Sequence, residues 1–365
     1  MSLSVDITRS LGGFRLQAAF DAPDGVTVLF GRSGSGKTSI VKSIAGLIAP
    51  DAGRIALKGR ALFDRAKAVD VPVHKRRLGY VFQDSRLFPH LSVRENLCYA
   101  ARVSGRGARN PDEVGDLLGI LHLLDRRTHA LSGGEAQRVA IGRALLSEPD
   151  ILLMDEPLAS LDGPRKAEIL PYLETLQRKT GLSILYVTHN MAEVARLATH
   201  IVLIDEGRVI RSGAPDELLT DPDMVRQLGI RDAGAVLSAT VSARPVDGLS
   251  ELAISGGHLF LPAIDAPVGA ALRVRILAQD VILARTRPEG ISALNILPVR
   301  VLAVRRGEGP GVIVQLQAGD DRLLARITRR SADALAIVEG AECYAVMKSV
   351  AVSQTDIAVG LQSGL

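Results

Sequence analysis

Tryptophan is absent from this 365-residue chain, and aromatic residues make up only 3% of it. That poverty leaves no stacking platform for nucleic-acid bases. The two cysteines, Cys98 and Cys343, have no CxxC spacing and no neighbouring histidine cluster. They argue against a disulfide framework or a zinc site and read as small buried hydrophobes. No unbroken apolar run reaches the roughly 18 residues of a membrane span. The opening MSLSVDITRS has no basic stretch followed by an apolar core, so no signal peptide is expected. Neither charge dominates: 44 Lys and Arg face 40 Asp and Glu, for a net +4. Residues 232–365 hold 13 of each sign, so the small excess lies in the first 231 and gives no nucleic-acid footprint. The expectation is a cytosolic chain, able to lie against a membrane protein, with two or more domains at this length.

What is present is phosphate chemistry. Gly31 to Thr38 read GRSGSGKT, which matches G-x-x-x-x-G-K-[ST]. An apolar run, Val26–Phe30, precedes it and a helix-like run, Thr38–Leu47, follows. Glycines let the backbone wrap around phosphates and aim N–H groups at them. The start of the helix favours anions. Lys37 can reach the β- and γ-phosphates, and Thr38 can ligate Mg²⁺. The nucleotide-binding set is therefore Gly31, Arg32, Ser33, Gly34, Ser35, Gly36, Lys37, Thr38 and the following Ser39, with a nucleoside triphosphate as ligand.

Two more elements join it. ILLMDE, residues 151–156, is a buried-strand pattern with Asp155 at its end. There Asp155 can hold Mg²⁺ through water and Thr38, and Glu156 is placed to polarise the attacking water as general base. In LSGGE, residues 131–135, Ser132 and Glu135 form a capping-box pair. Gly133 and Gly134 then leave the first amides of the helix open to an anion.

Elsewhere the first 231 residues alternate between strands and helices. Strands are expected at Ser4–Thr8, Arg15–Phe20, Val26–Phe30, Leu78–Phe82, Ile151–Asp155, Ser183–Thr188 and Ile201–Asp205. Helices are expected at Thr38–Leu47, Gly133–Ser147, Pro164–Lys179 and Met191–Ala198, giving an α/β core with a mainly parallel sheet. Asp205–Arg208 reads as a hairpin turn. Near Ile230–Val236 the pattern changes to short β-like runs punctuated by Gly and Pro, an all-β tail of small-barrel type. Arg285–Gly290 is a candidate divider of that tail into two modules, and Gly269–Ala284 weakly echoes Gly340–Gln354.

These motifs, in order, resemble the ABC ATPase family over the first 231 residues. GRSGSGKT matches the Walker A loop, Gln83 in YVFQD the Q-loop, and LSGGEAQR the signature. ILLMDE matches Walker B, SLD (160–162) the D-loop, and His189 in YVTHN the switch histidine. The resemblance implies a P-loop NTPase core with a helical subdomain at about 85–150. It implies two copies closing head to tail, each ATP held between one P-loop and the other copy's Ser132, Gly133 and Gly134. By the same resemblance Gln83 senses γ-phosphate and Mg²⁺, His189 contacts the γ-phosphate and Asp162 contacts the second copy. Phe14 is the candidate for stacking on adenine, with a core role as the alternative.

Residues 80–97 and 155–176 are similar to the ATP-binding subunits of molybdate importers. The tail, taken as residues 236–365 with a module at 291–357, resembles OB/Mop-like or TOBE oxyanion-binding modules. The resemblance rests on Ser292–Asn295, Ala325–Thr328 with Ser331, and Val346–Ser349. It makes Ser292, Thr328, Lys348 and Ser349 candidate oxyanion ligands. Leu294 stands where molybdate-binding relatives commonly carry Arg, which weakens that expectation, and a regulatory or purely structural tail is the alternative. The implied function is the ATP-hydrolysing subunit of an importer for molybdate, with tungstate the close variant. Its cofactors are ATP and Mg²⁺. Its partners are a second copy and a transmembrane permease fed by a separate binding protein, at the cytoplasmic face of the inner membrane. An importer ATPase for sulfate, ferric ion, polyamine or sugar is the alternative within the class. A soluble ABC ATPase lacks its expected coiled coil or second cassette, and an oxyanion-sensing regulator lacks a helix-turn-helix.

Overall fold

The computed structural model describes residues 2–104, 110–225, 229, 232–245 and 247–359. The chain divides into two units, at Gly213 and Ala214. In the first, one sheet carries β1 (Leu3–Leu11), β2 (Phe14–Ala22), β3 (Val26–Phe30), β4 (Ala52–Leu57), β5 (Arg60–Asp64), β6 (Val69–Asp70), β7 (Leu78–Val81), β8 (Ile151–Asp155), β9 (Ile184–Thr188), β10 (His200–Asp205) and β11 (Arg208–Gly213). Its helices are α1 (Lys37–Ala45), α2 (Val93–Ser104), α3 (Pro111–Leu117), α4 (Gly133–Leu145), α5 (Gly163–Thr180) and α6 (Met191–Leu197).

The strand order is β6-β5-β4-β1-β2-β11-β10-β3-β9-β8-β7. In VTVLF, ILLMD and ILYVT, the sequences of β3, β8 and β9, every residue is buried. Such runs pack on both faces, which is what a helix-covered parallel sheet requires. Accordingly β10, β3, β9, β8 and β7 run parallel.

The rest departs from the expected mainly parallel sheet. The edge β6-β5-β4-β1-β2 is antiparallel throughout. Gly12–Gly13 and Lys58–Gly59 are two-residue links, and links that short join only antiparallel neighbours. Lys58 and Gly59 both take positive φ, 49° and 81°, as a type I′ turn demands. Glu206 and Gly207 do the same, at 44° and 79°, in the expected hairpin between β10 and β11.

The four expected helices are present within two residues of their predicted ends, and α2 and α3 are additional. Helix α2 carries its own start signal. Ser92 Oγ accepts from the Glu95 N–H at 3.2 Å, and Glu95 Oε2 accepts from the Ser92 N–H at 2.8 Å.

The second unit begins with α7 (Pro215–Leu219). It then forms β12 (Gly234–Ala243), β13 (Leu249–Ile254), β14 (Gly257–Pro262), β15 (Ala271–Leu277), β16 (Ile282–Ala284), β17 (Asn295–Arg306), β18 (Gly311–Ala318) and β19 (Asp321–Thr328). Helix α8 (Arg329–Ala334), β20 (Glu342–Met347) and β21 (Ile357–Val359) close it. Of the expected change of composition near Ile230–Val236, residues 230 and 231 lie outside the described residues, and β12 starts at Gly234 within it. The segment before it is tied to the β unit by Arg305, which pairs with Asp223 at 2.8 Å, and by Gln315, which donates to Thr220 O at 2.9 Å.

Two antiparallel sheets, β14-β13-β12-β15-β21 and β16-β20-β17-β18-β19, share one apolar core. The tail is thus one body, and Arg285–Gly290 does not split it. The sequence echo has a structural counterpart. β16, which follows β15, pairs with β20, while β21, which follows β20, pairs with β15. Of these, β15, β16 and β20 lie within the two similar segments, and β21 lies just beyond the second.

Candidate active site

Four parallel neighbours end at one edge of the first sheet, and each hands over a group. β3 leads into the P-loop, β8 into Glu156, β9 into His189 and β7 into Gln83. Crevices beyond the carboxyl ends of parallel strands are where open α/β sheets hold ligands. Residues up to 158 positions apart in the chain therefore converge without long loops.

The P-loop needs its glycines for space. A Cβ on Gly31 would run into the Ile204 carbonyl oxygen, and Gly36 has φ 102° with a Phe14 ring atom 3.2 Å from its Cβ position. Lys37 is buried, and its Nζ donates to Gly31 O at 2.7 Å and Arg32 O at 2.8 Å. Burial lowers the Lys37 pKa, while Glu156 and Asp155 oppose that fall. Thr38 Oγ1 donates to Asp155 Oδ1 at 2.8 Å, joining the P-loop to the end of β8. Ser35 is buried and its carbonyl accepts from the Gly207 N–H at 3.0 Å.

Glu156 sits at φ 48°, a left-handed conformation that costs a non-glycine residue about 1–3 kcal/mol. Its N–H is held by Val187 O at 3.1 Å, which keeps the carboxylate turned out of the strand end. Glu156 Oε2 lies 3.2 Å from His189 Nδ1. The pair puts a carboxylate and an imidazole at the same edge as Lys37 and Thr38. Gln83 is exposed just beyond β7 and has no side-chain hydrogen bond among the described contacts.

Beside the loop lies a cleft of about 840 Å³ lined by Phe14, Arg15, Arg32, Ser33, Glu206 and Arg208, among others. Phe14 is half-buried against the apolar core and also lines this cleft. Ser132 caps α4 with a complete capping box, and Ser132 and Gly133 are exposed. Among the described residues no hydrogen bond joins that turn to the P-loop of the same chain. Asp162 caps α5, its Oδ1 accepting from the Arg165 N–H at 3.1 Å.

Tyr80 was not among the expected site residues. Its O–H donates to Asp155 Oδ2 at 3.1 Å, a contact that follows from β7 pairing with β8, which no linear spacing encodes. Thr38 and Asp155 offer adjacent oxygen donors for a hard cation. Among the described residues no group of three His, Cys, Asp or Glu could hold a metal alone.

The tail candidates divide. Ser292 and Lys348 flank the Asn295–Met347 pair at one end of β17, and Ser349 follows. Ser349 is buried with its hydroxyl unpartnered. Thr328 pairs with Gly311, level with the far end of β17, so the ladder does not bring it to the others. There it caps α8, accepting from the Ser331 N–H at 3.1 Å. Leu294 is 52% exposed. Asn295 is fully buried and holds the Phe260 backbone through both its amide atoms, a structural task.

Comparison with known proteins follows the same division. The profile of the family described as ABC transporter matches residues 20–159, and that of the TOBE domain matches residues 291–354. Among curated proteins, the molybdenum import ATP-binding protein ModC of Mesorhizobium japonicum is 47% identical over 364 residues, covering 99% of this chain and 98% of that protein. ModC of Rhodospirillum rubrum is 48% identical over 363 residues, covering 97% and 98%. Among solved structures, CbiO1 from Clostridium perfringens, part of the ABC transporter complex CbiONQ, superimposes with a TM-score of 0.50 at 28% identity. It covers 63% of this chain and 94% of its own.

Proposed function

The chain belongs to the ABC transporter family, as an ATP-binding subunit whose relatives are molybdenum import proteins, and from that premise we propose how its residues divide the work. It is the ATP-hydrolysing, energy-coupling subunit of a molybdate importer. The observation that carries the assignment is a near-full-length match at 47% identity, which spans both the ATPase unit and the β tail. Sulfate, ferric ion, polyamine and sugar importers are the less favoured solute classes on that ground.

ATP lies along the P-loop, with Lys37 and the loop amides on its phosphates and Phe14 against adenine. Thr38 and Asp155 are the residues that hold Mg²⁺, with Gln83 completing the set. Their sparse oxygen donors suit a cation that takes its remaining ligands from water and phosphate. Bound there, Mg²⁺ neutralises charge that develops on the phosphates. Glu156 takes the proton of the attacking water. His189, whose Nδ1 lies 3.2 Å from Glu156 Oε2, orients that carboxylate and faces the γ-phosphate.

The exposed Ser132–Gly133 turn has no bond to its own P-loop. That supports a head-to-tail second copy, whose Ser132, Gly133 and Gly134 amides close on this ATP while Asp162 meets the opposite subunit. Among the described residues no helix is long and apolar enough to cross a membrane. The membrane path then belongs to a separate permease, and this subunit docks at its cytoplasmic face. In the tail, the buried, unpartnered Ser349 hydroxyl next to Lys348 supports an oxyanion contact there.

The test is uptake of labelled molybdate into vesicles by this subunit reconstituted with its permease. We expect ATP-dependent uptake that excess unlabelled tungstate suppresses and equal sulfate does not. Uptake competed equally by sulfate would move the assignment to another solute.

A further inference from the structure

Both oxygens of the Asp155 carboxylate are held by hydroxyls, and only one of them comes from the P-loop. Thr38 donates to Oδ1 at 2.8 Å, and Tyr80 donates to Oδ2 at 3.1 Å. Asp155 is 7% exposed, so water contributes little to fixing its plane. A carboxylate is loosely determined about its last torsion, and a second donor removes that freedom. A phenol is protonated at neutral pH, so the group is a donor.

Tyr80 also faces the other way. Its ring centroid lies 4.2 Å from that of Phe82, the residue before Gln83. The Phe82 carbonyl accepts from Nε2 of buried Gln137 on α4 at 3.2 Å, and the Arg86 guanidinium sits 4.1 Å over the Phe82 ring. One side chain thus touches the carboxylate of β8, the exit of β7 and, through Phe82, the helix that begins at Ser132.

We propose that Tyr80 is a positioning residue. Its hydroxyl sets the plane of Asp155, and its ring ties that plane to Phe82 at the entrance to the Gln83 loop. The proposal rests on Thr38 and Asp155 holding Mg²⁺. A shift of the chain at Phe82 would then alter how the carboxylate is presented to the cation, without any change in charge.

The experiment measures ATP affinity of the full chain by calorimetry across a Mg²⁺ titration, for the native protein, Tyr80→Phe, Phe82→Leu and Asp155→Asn. Tyr80→Phe keeps the ring and loses the O–H. It should raise the Mg²⁺ needed for half-maximal affinity about tenfold, the scale of one hydrogen bond to a charged group. Affinity at saturating Mg²⁺ and the thermal midpoint should stay near native. Phe82→Leu leaves the phenol in place and should give a smaller rise. Asp155→Asn should give the largest. A native Mg²⁺ requirement in Tyr80→Phe, beside a raised one in Asp155→Asn, overturns the positioning role and leaves the cation site standing. A native requirement in Phe82→Leu overturns the ring linkage. A native requirement in Asp155→Asn removes the premise, and the proposal with it.

Discussion

Lys37 shows what one residue contributes at this site. It is buried, bonded to two loop carbonyls and close enough to Glu156 and Asp155 for both to raise its pKa against desolvation. A buried cation of this kind is worth most where its partner is an anion in the same low-dielectric pocket. Removing one partner of a buried charge pair costs about 2–5 kcal/mol. Lys37→Ala should therefore weaken ATP binding at least about thirtyfold, read by calorimetry. Affinity within a factor of two of native would refute its role on the phosphates. At this scale the P-loop, Asp155 and Glu156 were legible as motifs at strand ends, while Gln83 and His189 were named only through the family resemblance. Tyr80 was not legible, because its partner lies 75 positions away across a strand pairing.

Arg76 shows how elements are held. It is 1% exposed. Its guanidinium donates to Ser43 O at 3.0 Å and Ile44 O at 2.7 Å, in the last turn of α1. It also reaches Val71 O and the Asp70 carboxylate, each at 2.7 Å. The end of the P-loop helix is thus capped by a side chain from the start of β7. Gly46 has φ 79°, and a Cβ there would stand 2.6 Å from Arg76 Cζ. Arg76→Met should destabilise the chain by about 1–3 kcal/mol, the cost of leaving carbonyls at the buried end of α1 without a donor. A denaturant midpoint that does not move would show the cap to be dispensable. The capping residue is not readable from α1 itself, since it lies 30 residues on. The start of α2 was readable, in Ser92-Val-Arg-Glu95, a capping box ahead of an apolar helix face. The strands β4 and β5 were hidden by their shortness and mixed polarity, although Lys58–Gly59 marks the turn between them.

At the scale of the whole molecule, the proposed closure makes the ATPase unit half of a composite site. Glu156 and the P-loop are on one edge, and among the described residues no hydrogen bond joins the exposed Ser132 turn to them. Glu156→Gln should keep ATP affinity within a few-fold, cut turnover by about 10²–10⁴, and hold the ATP-bound form closed. Light scattering in Mg·ATP should then give twice the 38.8 kDa of one chain. A monomer mass under saturating Mg·ATP, with phosphate release unchanged, would remove both the base and the closure. The β unit carries its own core, shared by its two sheets, and β16–β20 and β15–β21 pair across it.

The sequence by itself determined the nucleotide chemistry, the family and the strand–helix alternation. The chemistry and the alternation depend on residues within a dozen positions of one another, where covalent geometry and hydrogen-bond period leave few choices, and the family on the order of such local motifs along the chain. Only the tertiary structure decided the antiparallel half of the sheet, the Arg76 cap, the grip of Tyr80 on Asp155 and the distance between Thr328 and Lys348. Those depend on which strands lie side by side, and that is set by burial of apolar faces summed over the whole unit rather than by any local run.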